Sequence, residues 1–267
     1  MSTTTADGLH YVATSNDSHM MGQMYTQRKT WSEYEMNLFY TLAQLFYKVN
    51  SNDGWFLDLG ANIGTTGIYF LKKLTPNLKL LAFEPDPENF KLLRTNLILN
   101  DIEENSITEN YGLGEVESEM TMYRNLNNPG NNGMFSAYAG GDSETIKIIS
   151  LDKYFVENHL NAKDVKYIWI DTEGFEAQVL LGMKNILAEN PAPIFMEFNP
   201  KLWQKAGVYE DMVHLLVGLY EGYVWIKRSV IIEEVNVDPI ETLWQFQNSK
   251  DGFGVLGDIF LIHEVKK

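Results

Sequence analysis

The stretch WFLDLGANIGTTGIYFL, residues 55–71, decides how the rest of the chain is read. It opens on a short apolar run, Trp55–Leu59, passes through a glycine-rich turn, and continues into apolar residues at helical spacing from Ile63. A run of that length bounded by glycine suits a strand buried on both faces. Strand, turn and helix in this order form the first unit of a parallel α/β sheet, whose ligands bind outside the carboxyl ends of the strands. Gly60 and Gly64 allow a ligand close to the backbone, and Asn62 tolerates the unusual dihedrals of such a turn. The pattern Asp-x-Gly-x-Asn-x-Gly departs from the dinucleotide fingerprint Gly-x-Gly-x-x-Gly. A pyrophosphate would be repelled by Asp58, whereas a sulfonium nucleoside carrying an ammonium group would be attracted.

Working outward, the alternation continues. Residues 78–83 read as a strand, 87–99 as a helix with Phe90, Leu93 and Leu97 on one face, and 106–111 as a third strand. Strand and helix at this spacing predict a parallel sheet with right-handed crossovers. The rhythm breaks over 112–149. There 119–124 and 145–149 alternate like antiparallel strands around NLNNPGNNGMFSAYAGGD, a loop of the length that is usually functional or disordered. It resumes with 167–171 as strand, 175–189 as helix, 194–198 as strand, 211–220 as helix and 223–227 as strand, and 259–263 reads as a last strand. Residues 228–257 read as a second insertion. On the amino side, a helix is expected over 32–49, with Ser32 as N-cap and Glu35 completing a capping box. The polar first 20 or so residues predict a mobile arm, or one that folds over a ligand through Met20, Met21, Met24 and Tyr25. The expected organisation is one α/β domain over 51–267, with residues 1–50 as an arm and helix covering the cleft.

The chain has 267 residues, 21 basic and 36 acidic, for a formal charge of −15, and no cysteine. Such a balance argues against nucleic-acid partners and anionic membranes. The missing cysteines remove disulfides, thiolate metal sites and a thiol nucleophile, and suit a reducing compartment; a cytoplasmic location is expected. No membrane span or secretory signal is read. The five histidines show no metal-ligand spacing, so no metal site is assigned and Ser-His chemistry has little support.

Four further motifs carry chemistry. In LLAFEPDPENF, Glu84 ends the second strand twenty residues after Gly64, where a carboxylate can accept both ribose hydroxyls. Pro85 and Asp86 follow, and Asp86 reads equally well as an acid at the start of the next helix. In ITENYGLG, Asn110 and Gly112 close the third strand, where an adenine edge could meet the backbone; they also serve as ordinary turn residues. In YIWIDTEGFEAQVLLGM, Asp171, Glu173 and Glu176 crowd one strand end. Helix capping explains Glu176 readily and Asp171 less well, leaving Asp171 to face the reactive centre. In PIFMEFNPKLW, Glu197 ends the adjacent strand as a candidate general base or substrate anchor, or as a solvated strand end.

The segments FLDLGANIG, FEPDPENFKLLRTNL, the Asn110–Gly114 piece, ISLDKYF and above all IDTEGFEAQVLLGM resemble the FkbM-type methyltransferases, class I enzymes that use S-adenosylmethionine. The resemblance runs from about residue 55 to 200. It implies a Rossmann-like, seven-stranded, mostly parallel sheet with a reversed last hairpin, and methyl transfer to a hydroxyl of a sugar, secondary metabolite or peptide. Taken with the motifs, it implies a cofactor set of Asp58, Gly60, Ala61, Asn62, Gly64, Glu84, Pro85, Asp86, Asn110, Gly112 and Asp171. The family Lys two positions before Asp171 is here Trp169. If that Lys touches substrate, this chain prefers a more apolar or aromatic acceptor.

The expected mechanism is SN2 transfer, with alignment and exclusion of water as the main contribution and Asp171, Glu173 or Glu197 taking or orienting the hydroxyl proton. The same acids could instead hold a divalent cation. Rival readings are a nicotinamide-dependent oxidoreductase, which should carry a third glycine and lack Asp58, and a non-catalytic module that binds S-adenosylmethionine. Expected partners are a small-molecule or peptide acceptor with a free hydroxyl, without nucleic acid or membrane; a homodimer stays open.

Overall fold

Alternate residues of a strand point to opposite faces, and here both sets are apolar, so helices must cover both sides of the sheet. The computed structural model, which describes residues 1–14, 17, 19–50, 52–125, 132–133, 143–226, 235–246 and 257–265, has that architecture. An amino-terminal hairpin, β1 (Ser2–Thr4) and β2 (His10–Val12), is followed by α1 (Met20–Gln27) and α2 (Glu33–Phe46). Then come β3 (Trp55–Leu59), α3 (Thr65–Tyr69) running into a π-helical turn over Phe70–Leu74, β4 (Lys79–Phe83), α4 (Pro87–Leu99) and β5 (Ser106–Glu109). A three-stranded insertion, β6 (Gly112–Leu113), β7 (Ser118–Tyr123) and β8 (Ser143–Ile149), precedes α5 (Leu151–Glu157) and β9 (Val165–Ile170). The chain continues through α6 (Glu176–Leu181), α7 (Lys184–Glu189), β10 (Ile194–Phe198), α8 (Pro200–Lys205), α9 (Tyr209–Leu219), β11 (Gly222–Ile226), β12 (Val237–Pro239) and β13 (Gly257–Ile262).

The central sheet has the order β12-β11-β13-β10-β9-β3-β4-β5. Strands β5, β4, β3, β9 and β10 are parallel, and β13 runs antiparallel between β10 and β11. Seven of these strands are the ones expected; the eighth, β12, adds an antiparallel edge beside β11. It comes from the stretch read as the 228–257 insertion, where Pro239 can sit because an edge strand need not donate every N–H. One face, with Leu57, Leu59, Leu81, Ile168 and Ile170, packs on α5, α6, α7 and α9; the other, with Phe56, Leu80, Tyr167, Trp169 and Phe195, packs on α2, α3 and α4.

Three local expectations are corrected. The supposed mobile arm is a hairpin pinned to α4. Asn96 and Asn100 each exchange two hydrogen bonds with the backbone of Val12 and His10, and Leu9, Tyr11, Met20, Met21 and Met24 are buried. Residues 1–50 pack against α4 and the Phe56 face of the sheet, and the cleft described below takes none of its lining from them. Ser32 makes no capping bond: it lies in the left-handed region at φ 56°, not in the extended conformation that a capping side chain needs. The helix read over 175–189 is two helices, α6 and α7, that part at Gly182 and Met183, and Gly182 lies so close to the Gly114 carbonyl that a Cβ would clash there. Most of the Asn/Gly loop, all but Asn125, Asn132 and Gly133, and most of 228–257 lie outside the described residues. Among the described residues, no helix is long and apolar enough to cross a membrane.

Candidate active site

A cleft opens where β3, β4, β5 and β9 end, the place where ligands of open α/β sheets bind. Its floor is the turn after β3. Gly60 takes φ 95°, and a Cβ there would lie 1.8 Å from the carbonyl oxygen of Asp171, so only glycine lets the first turn and the β9 end meet. Asn62 follows at φ 50° and its buried Oδ1 has no hydrogen-bond partner, which leaves an acceptor for a donor brought by a ligand. One wall is Glu84, nearly fully buried. Its Oε2 accepts the Asn62 N–H and its Oε1 the Asp86 N–H, each at 2.8 Å, so the carboxylate is fixed in orientation and keeps lone pairs for further donors. Burial pushes its pKa up to about 8, with the Asp86 and Asp58 charges adding to the effect and the two N–H bonds opposing it.

The opposite wall is the segment after β9. Asp171, Thr172, Glu173 and Phe175 line the cleft. Glu176 organises this turn from beneath: Oε1 accepts from the Thr172 N–H, the Thr172 hydroxyl and the Gly174 N–H at 3.0–3.1 Å, and Oε2 accepts from the Trp203 indole at 3.1 Å. Glu176 thus stands in the first turn of α6, as expected of an acid there, but its carboxylate clasps the preceding turn and does not cap the helix. The turn presents Glu173 at φ 53°. Asp171 is exposed by area and lines the cleft, while its carboxyl group is closely surrounded by protein. Enclosure first, then the charges of Glu176, Asp258 and Asp58, raise its pKa. Burial and the Asp171 and Glu176 charges raise that of Glu173. Glu197 lies one strand away, paired across β10 and β13 with Asp258 and outside the cleft lining; its pKa is raised by burial and by Glu176, Asp171 and Glu173.

The remaining expected residues divide by what they touch. Gly60, Asn62, Glu84, Pro85, Gly112 and Asp171 line the cleft. Asp58 does not: it is fully buried, its Oδ2 accepts the Gly67 N–H at 3.0 Å, its Oδ1 has no partner, and burial pushes its pKa up to about 7. Its position is dictated by the strand alternation, which turns it toward α3. Ala61 and Gly64 hold the turn through hydrogen bonds to Phe83 and Ala61, and Gly64 packs against Leu93. Asp86 caps α4, and Asn110 donates to the carbonyls of Glu84 and Pro85, so both shape the rim without lining it. Trp169 stacks on Phe195 at 4.2 Å and 7° and is 5% exposed. It belongs to the aromatic layer under α2, so the acceptor preference tied to it finds no contact with the cleft.

Sequence reading missed the apolar slot made by Phe83, Tyr111, Leu113, Met122 and Phe175, to which the insertion adds Asn132 and Gly133. The period-2 alternation of β7 was the available signal for Met122; nothing local marked the others. Among the described residues, no three His, Asp or Glu side chains are arranged to hold a metal ion.

A sheet in this order, parallel except for β13 and the edge strand β12 and with a cleft at its first βα turn, is the Rossmann-like fold of the class I methyltransferases. The profile described as "Methyltransferase FkbM domain" matches residues 58–224, and the chain belongs to that family. Methyltransferase sdnD of Sordaria araneosa is 36% identical over 60% of this chain and 70% of its own length. Methyltransferase 1 of Beauveria bassiana (strain ARSEF 2860) is 26% identical over 49% of this chain; the match spans 59% of that relative's length. The crystal structure of methyltransferase FkbM from Methylobacillus flagellatus KT is similar with a TM-score of 0.43 at 14% identity, covering 65% of this chain and 44% of that one.

Proposed function

We propose that the protein transfers a methyl group from S-adenosylmethionine to a hydroxyl oxygen of a small-molecule or peptide acceptor. The observation that carries this reading is the character of the cleft: Glu84, Asp171 and Glu173 line it together with the unpartnered Asn62 Oδ1, and no Lys, Arg or His does so among the described residues. A site of acceptors with an apolar slot suits a ligand that is cationic, rich in donors and carries a flat base. Its described lining offers a pyrophosphate no cationic partner, which counts against a nicotinamide cofactor.

Glu84 would hold the ribose hydroxyls, Asn62 a further donor, and the Phe83–Leu113–Phe175 slot the base. When bound, S-adenosylmethionine supplies the electrophilic methyl group. Asp171 and Glu173 would take or orient the proton of the acceptor hydroxyl. The raised pKa of Asp171 brings it nearer the working pH, where a general base is most effective. Glu176 and Trp203 hold those two carboxylates in place, and the enclosing walls exclude water.

Calorimetry with S-adenosylhomocysteine and with NAD tests the cofactor, and transfer of labelled methyl to a panel of sugars, peptides and polyketide alcohols tests the reaction. Binding of S-adenosylhomocysteine and label on an acceptor oxygen are expected. Binding of NAD alone would overturn the reading.

A further inference from the structure

We propose that Arg124 is a positioning residue for the cofactor cleft, acting by tying the inserted three-stranded sheet to the segment that carries Glu84. The inference rests on the S-adenosylmethionine reading above. The cleft is walled by two units that do not share a sheet. Glu84, Pro85 and Asn89 follow β4 of the central sheet, whereas Met122, Asn132 and Gly133 belong to the insertion. Between them lies Asp86, with a side chain only 2% exposed. One of its oxygens caps α4 by accepting from the N–H groups of Glu88 and Asn89. The other accepts from Arg124 Nε at 2.6 Å and Asn132 Nδ2 at 3.2 Å. The Asp86 N–H in turn donates to Glu84 Oε1, so the cap and the ribose-facing carboxylate move as one unit.

Arg124 sits one residue beyond β7 and reaches both ways. Its Nη2 pairs with Glu144 Oε2 on the neighbouring strand β8 at 2.8 Å. Asn132 is fixed beside it by accepting the Asn125 N–H, and Tyr123 bridges to Gly133. The result is a continuous chain, Glu84–Asp86–Arg124–Glu144, that crosses from the cofactor wall to the insertion. A planar guanidinium can serve two carboxylates in different directions at once; an ammonium is a point charge and cannot reproduce that fork. An exposed ion pair would carry little weight, but here the carboxylate is buried and Arg124 is 22% exposed. Asp86, read from the sequence as a cofactor contact or a helix cap, becomes the joint through which a residue outside the cleft lining sets the cleft's width.

The full chain is titrated with S-adenosylhomocysteine as wild type, R124M, R124K and E144Q. R124M is expected to weaken binding about tenfold, the size of one charge-assisted hydrogen bond. R124K should recover part of the loss, and E144Q should lose less than R124M. A role in stability alone would lower the melting temperature of R124M and leave the affinity of the folded protein unchanged. In the wild type, S-adenosylhomocysteine should slow amide deuterium exchange over 118–124. Should R124M not fold, R124K and the exchange measurement decide the matter. Wild-type affinity in folded R124M, or in R124K and E144Q together where R124M is unfolded, overturns the proposal, as does exchange over 118–124 that the ligand leaves unchanged. If the wild type itself does not bind S-adenosylhomocysteine, the cofactor reading fails first and this inference with it.

Discussion

Glu84 titrates against the ligand assigned to it, and the direction follows from its surroundings. Burial holds its pKa at about 8, so near pH 6 the free protein carries it protonated. A cationic nucleoside whose hydroxyls donate to this carboxylate selects the ionised form, and binding below pH 8 therefore releases a proton. For one such group the apparent dissociation constant scales as 1 + 10^(pKa − pH), which falls about 50-fold between pH 6 and pH 8 and by only about twofold more to pH 9. Glu84→Gln keeps the shape and one of the two backbone bonds but removes the charge. The loss of a charge-assisted acceptor, about 1.5–3 kcal/mol, corresponds to about 10- to 150-fold weaker binding at pH 8. Calorimetry with S-adenosylhomocysteine from pH 6 to 9, in buffers of different ionisation enthalpy, measures both the affinity and the protons released. A variant that keeps the full wild-type pH slope, or a wild type with none, refutes the reasoning.

Other outcomes follow from the same geometry. Because the folded pKa of Glu84 lies above its ordinary value of 4.5, the ligand-free protein is most stable below about pH 4.5 with respect to this group and loses that stability as pH rises toward about 8; its melting temperature should fall across this window less steeply in Glu84→Gln. Glu176→Gln presents an amide to buried donors now matched by a carboxylate and should cost about 1–3 kcal/mol in urea unfolding, with methyl transfer reduced further because Asp171 and Glu173 lose their support. Phe39 is fully buried with five aromatic neighbours at 5.7–6.0 Å, and Phe39→Ala should cost about 3–5 kcal/mol by the same assay.

Legibility in the sequence followed the range of the forces involved. Buried strands declare themselves locally, so Trp55–Leu59 and Ile194–Phe198 were read to the residue, as was the Pro87–Leu99 helix with its proline at the start. The hairpin at the amino end did not declare itself. Most of its residues are polar, and it is ordered by burial of Leu9 and Tyr11 and by the amides of Asn96 and Asn100, 84 and 90 positions away. Ser32 satisfied a local capping rule, but its left-handed backbone leaves the capping bond unmade. In the site, the turn of Gly60 and Asn62 and the place of Glu84 were visible because residue type and spacing suffice there. The clasp of Glu176 needed Trp203, 27 residues on, and the role of Asp86 needed Arg124, 38 residues on. A motif can nominate an acid, but only the partner decides whether it faces a ligand or a helix end.

The strand alternation also links stability to chemistry. On the face under α2, Phe56 is followed two residues on by Asp58, Ala82 by Glu84, Trp169 by Asp171 and Phe195 by Glu197, and Phe260 is preceded by Asp258. Each strand thus carries a buried apolar residue inside and an acid at its carboxyl rim, or at its amino rim for the reversed strand. The layer built on Phe39 that holds the sheet together is therefore also the dry wall behind these acids. Burial is the first cause of the raised pKa of Asp58, Glu84, Asp171 and Glu197. Loosening that layer admits water behind the acids and should return their pKa values toward the ordinary carboxylate range. A core substitution such as Phe39→Ala should accordingly flatten the pH dependence of S-adenosylhomocysteine binding as well as lower stability. A destabilised variant with an unshifted pH profile would show that the acids are dried by the cleft walls alone and not by the core beneath them.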